Sequence, residues 1–528
     1  MKQKLDNYFG ITKMGSSFKV EILAGIVTFA TVAYILTLNP LAMQGFQPGV
    51  RTPALIVATA LGCIIGTLLT SLYARLPFVQ CPGMGLNSMF AGVLAGAGSS
   101  LVFENALAII FISGIVFVIV SVLPIGRNSD GSMILARTKL FDSIPKDLKI
   151  AIASGIGLFV AFIGLKNAGV IAADPGTFVT LVDFGTYNAQ TAGAITCIFG
   201  FVVICVLSHY NVKGAALLGL LAATVFAGVV SLPLAIEERL LDYGMLRGES
   251  GVSWKFWESF SAAFSGDPET GAFGLFAKGF NFPAGSFVEV MGLIIAFSII
   301  DIFDTMGGVM ALSQMTQGRG KGQLIGEDGK PIRFNRALMS DALATVLGSV
   351  VGVSNVVIYI ESGSGIAEGG RTGFSALVMV FMFVLSLFIL PIFAFIPGAA
   401  AASVLLYVGV LMIGNITNIN FRDIRVAAPA FLAIAMMPLT YSIANGIGLG
   451  VIAYVLITTL CWVVENIKGN RQMVEATMSA SMGEIDPELW QQEQSEQVHE
   501  DTTDTKTKFP SITAFVIAGL FLLFFILG

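Results

Sequence analysis

Histidine and cysteine are scarce in this sequence of 528 residues, and their scarcity excludes several kinds of chemistry. The two histidines, His209 and His499, lie in no motif, and the five cysteines lie in or beside apolar runs without metal-ligand spacing. We interpret the cysteines as packing residues. We therefore expect no metal site, no cofactor and no histidine-based catalytic site.

Charged side chains are also few, at 12% of residues against about a quarter in ordinary soluble domains. Hydrophobic residues make up 55% of the chain and its mean hydropathy is +0.83, which indicates a membrane protein with many spans. The net charge of −5 gives no basic surface for nucleic acid. The polar N-terminal segment precedes a long span, so no signal peptide is evident.

Apolar windows of about 20 residues, long enough to cross a bilayer, predict fourteen spans in two sets of seven. The first set lies at 22–46, 53–75, 77–98, 101–124, 148–168, 192–209 and 213–232. The second set lies at 285–312, 337–353, 355–370, 373–396, 400–416, 424–442 and 444–466. The chain therefore divides into two seven-span regions, 1–232 and 285–466.

Three segments lie outside these two regions. Residues 233–284 are predicted to be an extracellular insertion, and residues 467–510 a polar cytoplasmic linker that is too poor in apolar residues to fold. Residues 511–528 are predicted to form a fifteenth span. This last span contains no ionisable residue, so we expect it to be dispensable for the chemistry of the protein.

The orientation follows from the bias of lysine and arginine towards cytoplasmic loops. The loops 125–149 and 313–336 carry five basic residues each and fall on the side of the N-terminus. The loops 170–191 and 233–284 are acidic and fall on the opposite side. We therefore predict a multi-pass protein of the cell membrane with a cytoplasmic N-terminus.

Two sets of seven spans would be related by inversion, because an odd number of crossings flips the second copy. Residues 60–66, ALGCIIG, resemble residues 346–352, VLGSVVG, in the second and ninth spans. Small residues at this spacing are also common wherever membrane helices pack closely, so the similarity alone leaves both interpretations open.

The third and tenth spans carry residues that interrupt a regular helix. Pro77, Pro82, Gly83 and Gly85 lie within the third, and the β-branched run 355–360 precedes Glu361 in the tenth. Irregular backbone at membrane depth is tolerated only where it is buried in protein or lines a cavity. Discontinuous segments at corresponding positions of two halves indicate a binding site.

Two carboxylates, Asp301 and Asp304, lie one helical turn apart in the eighth span. A carboxylate at the bilayer centre costs roughly 2.5–3.5 kcal/mol, so both should face a cavity or a partner. Alternatively, Asp301 and Asp304 have a purely structural role, in which they cap a broken helix or form hydrogen bonds with it. With Glu361, these are the charged residues that we place at mid-membrane, and all of them are negative.

Four segments in order resemble the signatures of a known family: TFATVAYILTLNP (28–40), CPGMGLNSMFA (81–91), DIFDTMGG (301–308) and YIESGSGIAEGGRTG (359–373). They are similar to the AzgA-like branch of the nucleobase/cation symporters, the hypoxanthine, guanine and adenine permeases. The similarity covers roughly residues 1–466. The long 233–284 segment and the C-terminal tail depart from that pattern.

The resemblance implies an all-α fold of fourteen spans in two inverted repeats, with short strands in spans 3 and 10. Spans 1–4 and 8–11 would form a core domain and spans 5–7 and 12–14 a gate domain. By position in the motifs, Asp304, Glu361 and Asn87 resemble the substrate-binding residues. The implied function is purine uptake by proton symport, with Na⁺ the less expected ion and a homodimer left open.

The residues suit a purine base, which is flat and neutral and has N–H donors along its edge. Glu361 and Asp304 can accept those N–H groups, and the amide of Asn87 can both donate and accept, although it could instead cap a helix. We also assign Gly83, Gly85 and Ser362 to the substrate site. We assign Glu361, Asp304 and Asp301 to proton coupling. Glu368 and Arg371 are expected to form a structural ion pair.

Two other classes of function compete with this interpretation. One is a transporter of the same fold for another small substrate, such as xanthine, uracil or an anion like sulfate, although an anion needs a positive site. The other is a membrane enzyme, but no HExxH, GxSxG or paired Cys/His motif occurs in the spans. We therefore predict a transporter and no enzymatic activity.

Overall fold

A computed structural model of the protein describes most of the chain and all of the predicted spans at least in part. The described residues are 2–43, 52–95, 101–127, 133–135, 143–174, 176–212, 214–234, 240–241, 261, 276–316, 322–326, 331–481 and 509–527. Most of the predicted insertion at 233–284 and residues 482–508 of the predicted linker lie outside them.

The first half contains nine α-helices and five short strands among the described residues, and a π-helical turn, Thr70–Ala74, follows α4. The helices are α1 (Lys2–Phe9), α2 (Phe18–Val32), α3 (Ile35–Met43), α4 (Thr52–Leu69), α5 (Met84–Ala95), α6 (Phe103–Val122), α7 (Lys146–Asn167), α8 (Ala189–His209) and α9 (Ala215–Val230). The strands are β1 (Gln80–Pro82), β2 (Pro124–Arg127), β3 (Met133–Leu135), β4 (Ile171–Asp174) and β5 (Phe178–Leu181). Strands β2–β3 and β4–β5 form antiparallel hairpins outside the spans.

The second half contains one strand, β6 (Val356–Ile358), within its described part. Its helices are α10 (Phe287–Gln314), α11 (Phe334–Val350), α12 (Ser362–Ala367), α13 (Gly373–Ser386), α14 (Leu390–Ala394), α15 (Gly398–Ile413), α16 (Ile424–Leu439), α17 (Ile443–Ser481) and α18 (Ile512–Leu527). All fourteen predicted spans are thus matched by helices or by a strand followed by a helix. Nine helical stretches of the described residues are long and apolar enough to cross a membrane.

The third and tenth spans are discontinuous, as predicted. In span 3, β1 leads through Gly83 into α5, and in span 10, β6 leads through residues 359–361 into the short helix α12. The two strands pair antiparallel, with Gln80 opposite Ile358 and Pro82 opposite Val356. Because all residues of both strands are buried, the pairing satisfies backbone groups that would otherwise be unpaired at membrane depth.

The helices pack in two groups that correspond to the expected core and gate domains. In the core group, α11 packs on α4 and α6, α13 packs on α2 and α4, and α10 packs on α6. In the gate group, α7 packs on α15 and α16, α16 on α17, and α8 on α9 and α15. The two strands lie in the core group, because β1 packs on α4 and β6 packs on α10 and α11.

The glycine-containing segments 60–66 and 346–352 pack on the same strand. A Cβ added to Gly62 or Gly66 would lie 2.8 Å from Val353 Cγ2 or 2.6 Å from Val356 Cγ1. A Cβ added to Gly348 would lie 2.6 Å from Val356 Cγ2. Small residues in α4 and α11 thus let both helices approach the start of β6 from two sides.

The expectation of an unfolded linker from residue 467 is wrong for its first part. Helix α17 continues without a break to Ser481. Residues 467–481 are polar but rich in good helix formers such as alanine, methionine and glutamate, so the helix that leaves the membrane can propagate.

The appended helix α18 packs mainly along α17. Ala514, Ile517, Ala518 and Phe521 form a buried stripe at helical spacing, and the Phe521 ring lies over Gly448 of α17. Helix α18 also contacts α10 of the core group. Its opposite face, which includes the 82%-exposed Ile512, has the apolar character of a lipid-facing surface.

We predict that removal of residues 509–528 lowers thermal stability in detergent but leaves apparent substrate affinity within a few-fold, because α18 contributes packing and no ionisable group. Thermal unfolding and ligand binding of the truncated protein would measure both. Gly519→Val is a control, since nothing lies within 4 Å of a Cβ there. Loss of binding in a truncated protein that still inserts correctly would contradict the prediction.

Candidate functional site

Glu361 lies between β6 and α12, near the middle of span 10. Its Oε1 accepts a hydrogen bond of 2.8 Å from the hydroxyl of Tyr34, and its side chain is partly exposed. Tyr34 is 1% exposed and lies in the two-residue break between α2 and α3. Span 1 is therefore broken where it meets the carboxylate of span 10.

Tyr34 lies in the signature segment 28–40 but is not among the site residues predicted from the sequence. The available signal was a phenol within an apolar run, since a buried tyrosine hydroxyl usually finds a hydrogen-bond partner. Helix α12 is also held to span 1 by a 3.0 Å hydrogen bond between the hydroxyls of Thr31 and Ser364.

Asp304 lies on α10 and differs from Asp301 in its surroundings. Its side chain is partly exposed, and within the described part of the chain no hydrogen bond reaches its carboxylate. Its charge interacts with that of Glu361. Asp301 is wholly buried and hydrogen-bonded. Asp304 and Glu361 are therefore accessible carboxylates, whereas Asp301 is not.

Asn87 is wholly buried, and the structure places its amide in an internal network. Its Nδ2 donates to Asn39 Oδ1 at 2.6 Å, and its Oδ1 accepts a hydrogen bond from Ser354 Oγ. Asn39 in turn donates to Thr59 Oγ1 at 2.6 Å. The amide therefore connects spans 1, 2 and 3 with Ser354, the residue just before span 10, and does not cap α5.

Ser362 and Gly83 support the strand crossing. Ser362 Oγ accepts from the N–H of Val79 at 3.0 Å and donates to the carbonyl of Tyr359 at 2.7 Å. The N–H of Gly83 donates to the carbonyl of Asn355 at 2.9 Å. These bonds extend the pairing beyond both ends of β1 and β6, so the two residues stabilise the backbone next to Glu361.

Gly85 faces the gate group. A Cβ at this position would lie 2.9 Å from Ile156 Cγ2 of α7 and 3.4 Å from Ile443 Cδ1 of α17. Gly83 and Gly85 are absent from the glycines of positive φ. Gly85 is therefore required for a close approach of the core and gate groups and not for an unusual backbone conformation.

Asp341 of α11 is a buried carboxylate that the sequence reasoning did not select. It is wholly buried, its Oδ2 accepts a 2.5 Å hydrogen bond from Thr305, and its Oδ1 accepts from Gln80 Nε2 at 3.4 Å. The signal was present, because an aspartate within the predicted span 337–353 meets the same energetic cost as Asp301.

The remaining predicted residues, Glu368 and Arg371, lie at the C-terminal end of span 10. Arg371 Nη1 donates to the carbonyls of Ile366 and Gly370 at 2.6 and 2.7 Å, and the buried Glu21 accepts the backbone N–H of Arg371 at 2.9 Å. These contacts are structural. Among the described residues, no group of three or more His, Cys, Asp or Glu is placed to hold a metal ion.

The comparison with family models decides the class of the protein. Residues 19–449 match the model described as a permease family, which is the xanthine/uracil permease family. The chain belongs to the xanthine/uracil permease family. Members of this family are transporters and not enzymes, so the permease is a transporter, as expected.

The relatives of this permease support the same assignment. It is 36% identical to a permease of Methanocaldococcus jannaschii, MJ0326, over 85% of this chain and 91% of that protein. It is 32% identical to the guanine/hypoxanthine permease PbuO of Bacillus subtilis, over 85% and 93% of the two chains. It is 32% identical to the adenine permease AdeP of Escherichia coli, over 85% and 89%. The resemblance to the AzgA-like permeases is therefore confirmed.

Solved structures confirm the architecture of the permease. The transmembrane domain of the cyanobacterial bicarbonate transporter BicA superposes with a TM-score of 0.54 at 15% identity, covering 82% of this chain and 97% of that one. The murine anion transporter Slc26a9 in its inward-facing state superposes with a TM-score of 0.56 at 10% identity, covering 87% and 73%. The fold is the seven-plus-seven membrane domain.

We predict that Gly85→Val abolishes uptake while the permease still reaches the membrane, because the added atoms would push Ile156 of the gate group away. Uptake and surface amount should be measured together. Gly519→Val makes the same change in a helix at a position with open space and should leave uptake unchanged. Normal uptake by Gly85→Val would show that the core and gate groups do not approach closely at this point.

Proposed function

We propose that this permease is a secondary active transporter that imports purine nucleobases, namely hypoxanthine, guanine or adenine, by proton symport. The observation that carries the proposal is the pair of accessible carboxylates, Glu361 and Asp304, beside a paired strand crossing. Related permeases whose names specify guanine/hypoxanthine or adenine support the choice of substrate.

The chemistry of the two carboxylates favours a donor-rich, neutral ligand. Glu361 accepts from Tyr34 through Oε1, and a carboxylate has several acceptor positions, so it can also accept a purine N–H. Asp304 has a free carboxylate among the described contacts and can accept a second N–H. Asn87 acts as a positioning residue, since both heavy atoms of its amide are engaged within the core group.

An anion is the less favourable substrate at this site, although the solved structures with this fold include a bicarbonate transporter. Two carboxylates would repel it, and no basic residue takes part in the described contacts of Glu361 and Asp304. Xanthine and uracil are the alternative substrates, because they also present N–H donors. We place the permease in the cell membrane with its N-terminus in the cytoplasm.

We predict that unlabelled adenine, guanine or hypoxanthine reduces uptake of labelled hypoxanthine at concentrations where sulfate and bicarbonate have no effect. A competition series that includes xanthine and uracil measures this order directly. Strong competition by xanthine and uracil, with none by the three purines, would replace the proposed substrates. Competition by sulfate alone would contradict nucleobase transport.

Proton coupling follows from the like charges of Asp304 and Glu361. Ionising both in a dry site places two negative charges close together, so the loaded state favours one bound proton. A neutral purine carries no charge, and the cotransported proton therefore moves one positive charge inward. The membrane potential then contributes about 2.3 kcal/mol per 100 mV to accumulation.

We predict that uptake rises as external pH falls and that a protonophore collapses it. Glu361→Gln keeps the shape of the side chain but does not titrate, so purine binding should weaken a few-fold, concentrative uptake should be lost and exchange should partly remain. Uptake that ignores a protonophore or strictly follows external Na⁺ would contradict proton symport. Concentrative uptake by Glu361→Gln would remove Glu361 from the coupling step.

A further inference from the structure

A second pair of carboxylates lies between α10 and α11, apart from the accessible pair. Asp301 and Asp341 are both wholly buried. Thr345 donates to Asp301 Oδ2 at 3.1 Å, and Thr305 donates to Asp341 Oδ2 at 2.5 Å. Each helix therefore supplies one aspartate and, four residues later on the same face, one threonine. The two helices run antiparallel where these two Asp–Thr hydrogen bonds join them.

The strand segments complete the cluster with amide donors. Asn355, the residue before β6, donates through Nδ2 to Asp301 Oδ2 at 3.0 Å. Gln80 of β1 donates through Nε2 to Asp341 Oδ1 at 3.4 Å. All four donors point at carboxylate oxygens, and the ion pairs of the described residues include neither aspartate. The cluster thus has two acids and no basic side chain.

Two oxygen atoms of this cluster are left without a donor. Asp301 Oδ1 and Asn355 Oδ1 are buried and accept no hydrogen bond among the described residues. They belong to side chains that are already joined through Asp301 Oδ2 and Asn355 Nδ2. Two unpaired acceptors on adjacent groups in a low dielectric are unfavourable, because each has lost its water without gaining a donor.

A single proton on Asp301 would give both unpaired oxygens a hydrogen bond, because a carboxylic acid can pair with a primary amide. They form two hydrogen bonds side by side, one from the amide N–H to the acid carbonyl oxygen and one from the acid O–H to the amide oxygen. The first bond is present. The second needs a proton on Asp301 Oδ1, and the two atoms that it would join are the two unpaired oxygens.

We propose that Asp301 binds a proton on Oδ1 and donates it to Asn355 Oδ1, while Asp341 stays ionised. Both oxygens of Asp341 already accept hydrogen bonds, which suits a carboxylate, whereas one oxygen of Asp301 has none. Asp304 on α10 is an acidic group close enough to interact with both aspartates, and Glu361 after β6 interacts with Asp304 in turn. All are acidic, so a single proton reduces like-charge repulsion in the whole group.

The position of the pair connects this proton to the substrate site. Asn355 directly precedes β6, and Glu361 follows that strand by three residues. Loss of the proton would leave two unpaired acceptors facing each other and favour displacement of Asn355, and with it the strand that carries Glu361. This coupling role rests on the proton symport proposed above, whereas the presence of the proton on Asp301 does not.

Infrared difference spectroscopy of the purified permease during a pH change tests the proposal. A protonated carboxylic acid gives a carbonyl band that shifts in deuterated water, and we expect Asp301→Asn to abolish the band. Asp341→Asn should retain the band, and so should Asp423→Asn, a control in an ion pair with Arg425 outside the cluster. A band lost in Asp341→Asn and kept in Asp301→Asn would overturn the assignment.

A second variant keeps the test decisive if Asp301→Asn does not fold. Asn355→Leu removes the acceptor of the proposed O–H bond, so the carbonyl band should move to higher frequency with its amplitude retained. A band that Asn355→Leu does not move, or the absence of any band sensitive to these variants, would overturn the proposal. If a protonophore leaves uptake unchanged while the band is assigned to Asp301, the result contradicts proton symport. It still supports the proposal that Asp301 binds a proton.

Discussion

The antiparallel pairing of two three-residue strands is the interaction on which the rest of this structure depends. Backbone at membrane depth must find its hydrogen bonds within the protein, and β1 and β6 provide them for each other. The pairing fixes the backbone that leads to Glu361, three residues after β6, and to Gly83, directly after β1. Small residues in α4 and α11 are needed because both helices pack directly on Val353 and Val356.

The second constraint is that the carboxylates near this crossing have no basic partner among the described residues. The accessible pair is Asp304 and Glu361, and the buried pair, Asp301 and Asp341, accepts hydrogen bonds from Asn355 and Gln80 at the strand crossing. Solved structures of this fold include anion transporters, so the architecture alone does not decide the substrate. The sign of the charges at the crossing separates this site from one built for an anion.

Much of the fold could be predicted from the sequence because its signals are local. Long apolar windows indicated the spans, and Pro82, Gly83 and the β-branched residues before Glu361 indicated the breaks in spans 3 and 10. Asp304 and Glu361 were identifiable because a charge in an apolar run is costly. The prediction that residues 467–481 are unfolded was wrong. It rested on their polar composition, whereas the membrane helix α17 continues into them.

The parts that sequence reasoning missed depend on contacts between distant residues. Tyr34 acquires its role from Glu361, which lies 327 positions later, and Asp341 from Thr305 and Gln80 on other elements. The sequence predicts Asn87 as a substrate ligand or a cap, but its partners are Asn39 in span 1 and Ser354 just before span 10. Gly85 was selected for its backbone, yet side chains of the gate group give the reason for a glycine.

An experimental structure of the permease with bound hypoxanthine tests the central claim most directly. We predict that the purine lies at the boundary of the core and gate groups, with its N–H groups within hydrogen-bond distance of Glu361 and Asp304. The bond between Tyr34 and Glu361 should be retained. A purine bound elsewhere, or one that forms no hydrogen bond with either carboxylate, would contradict the account.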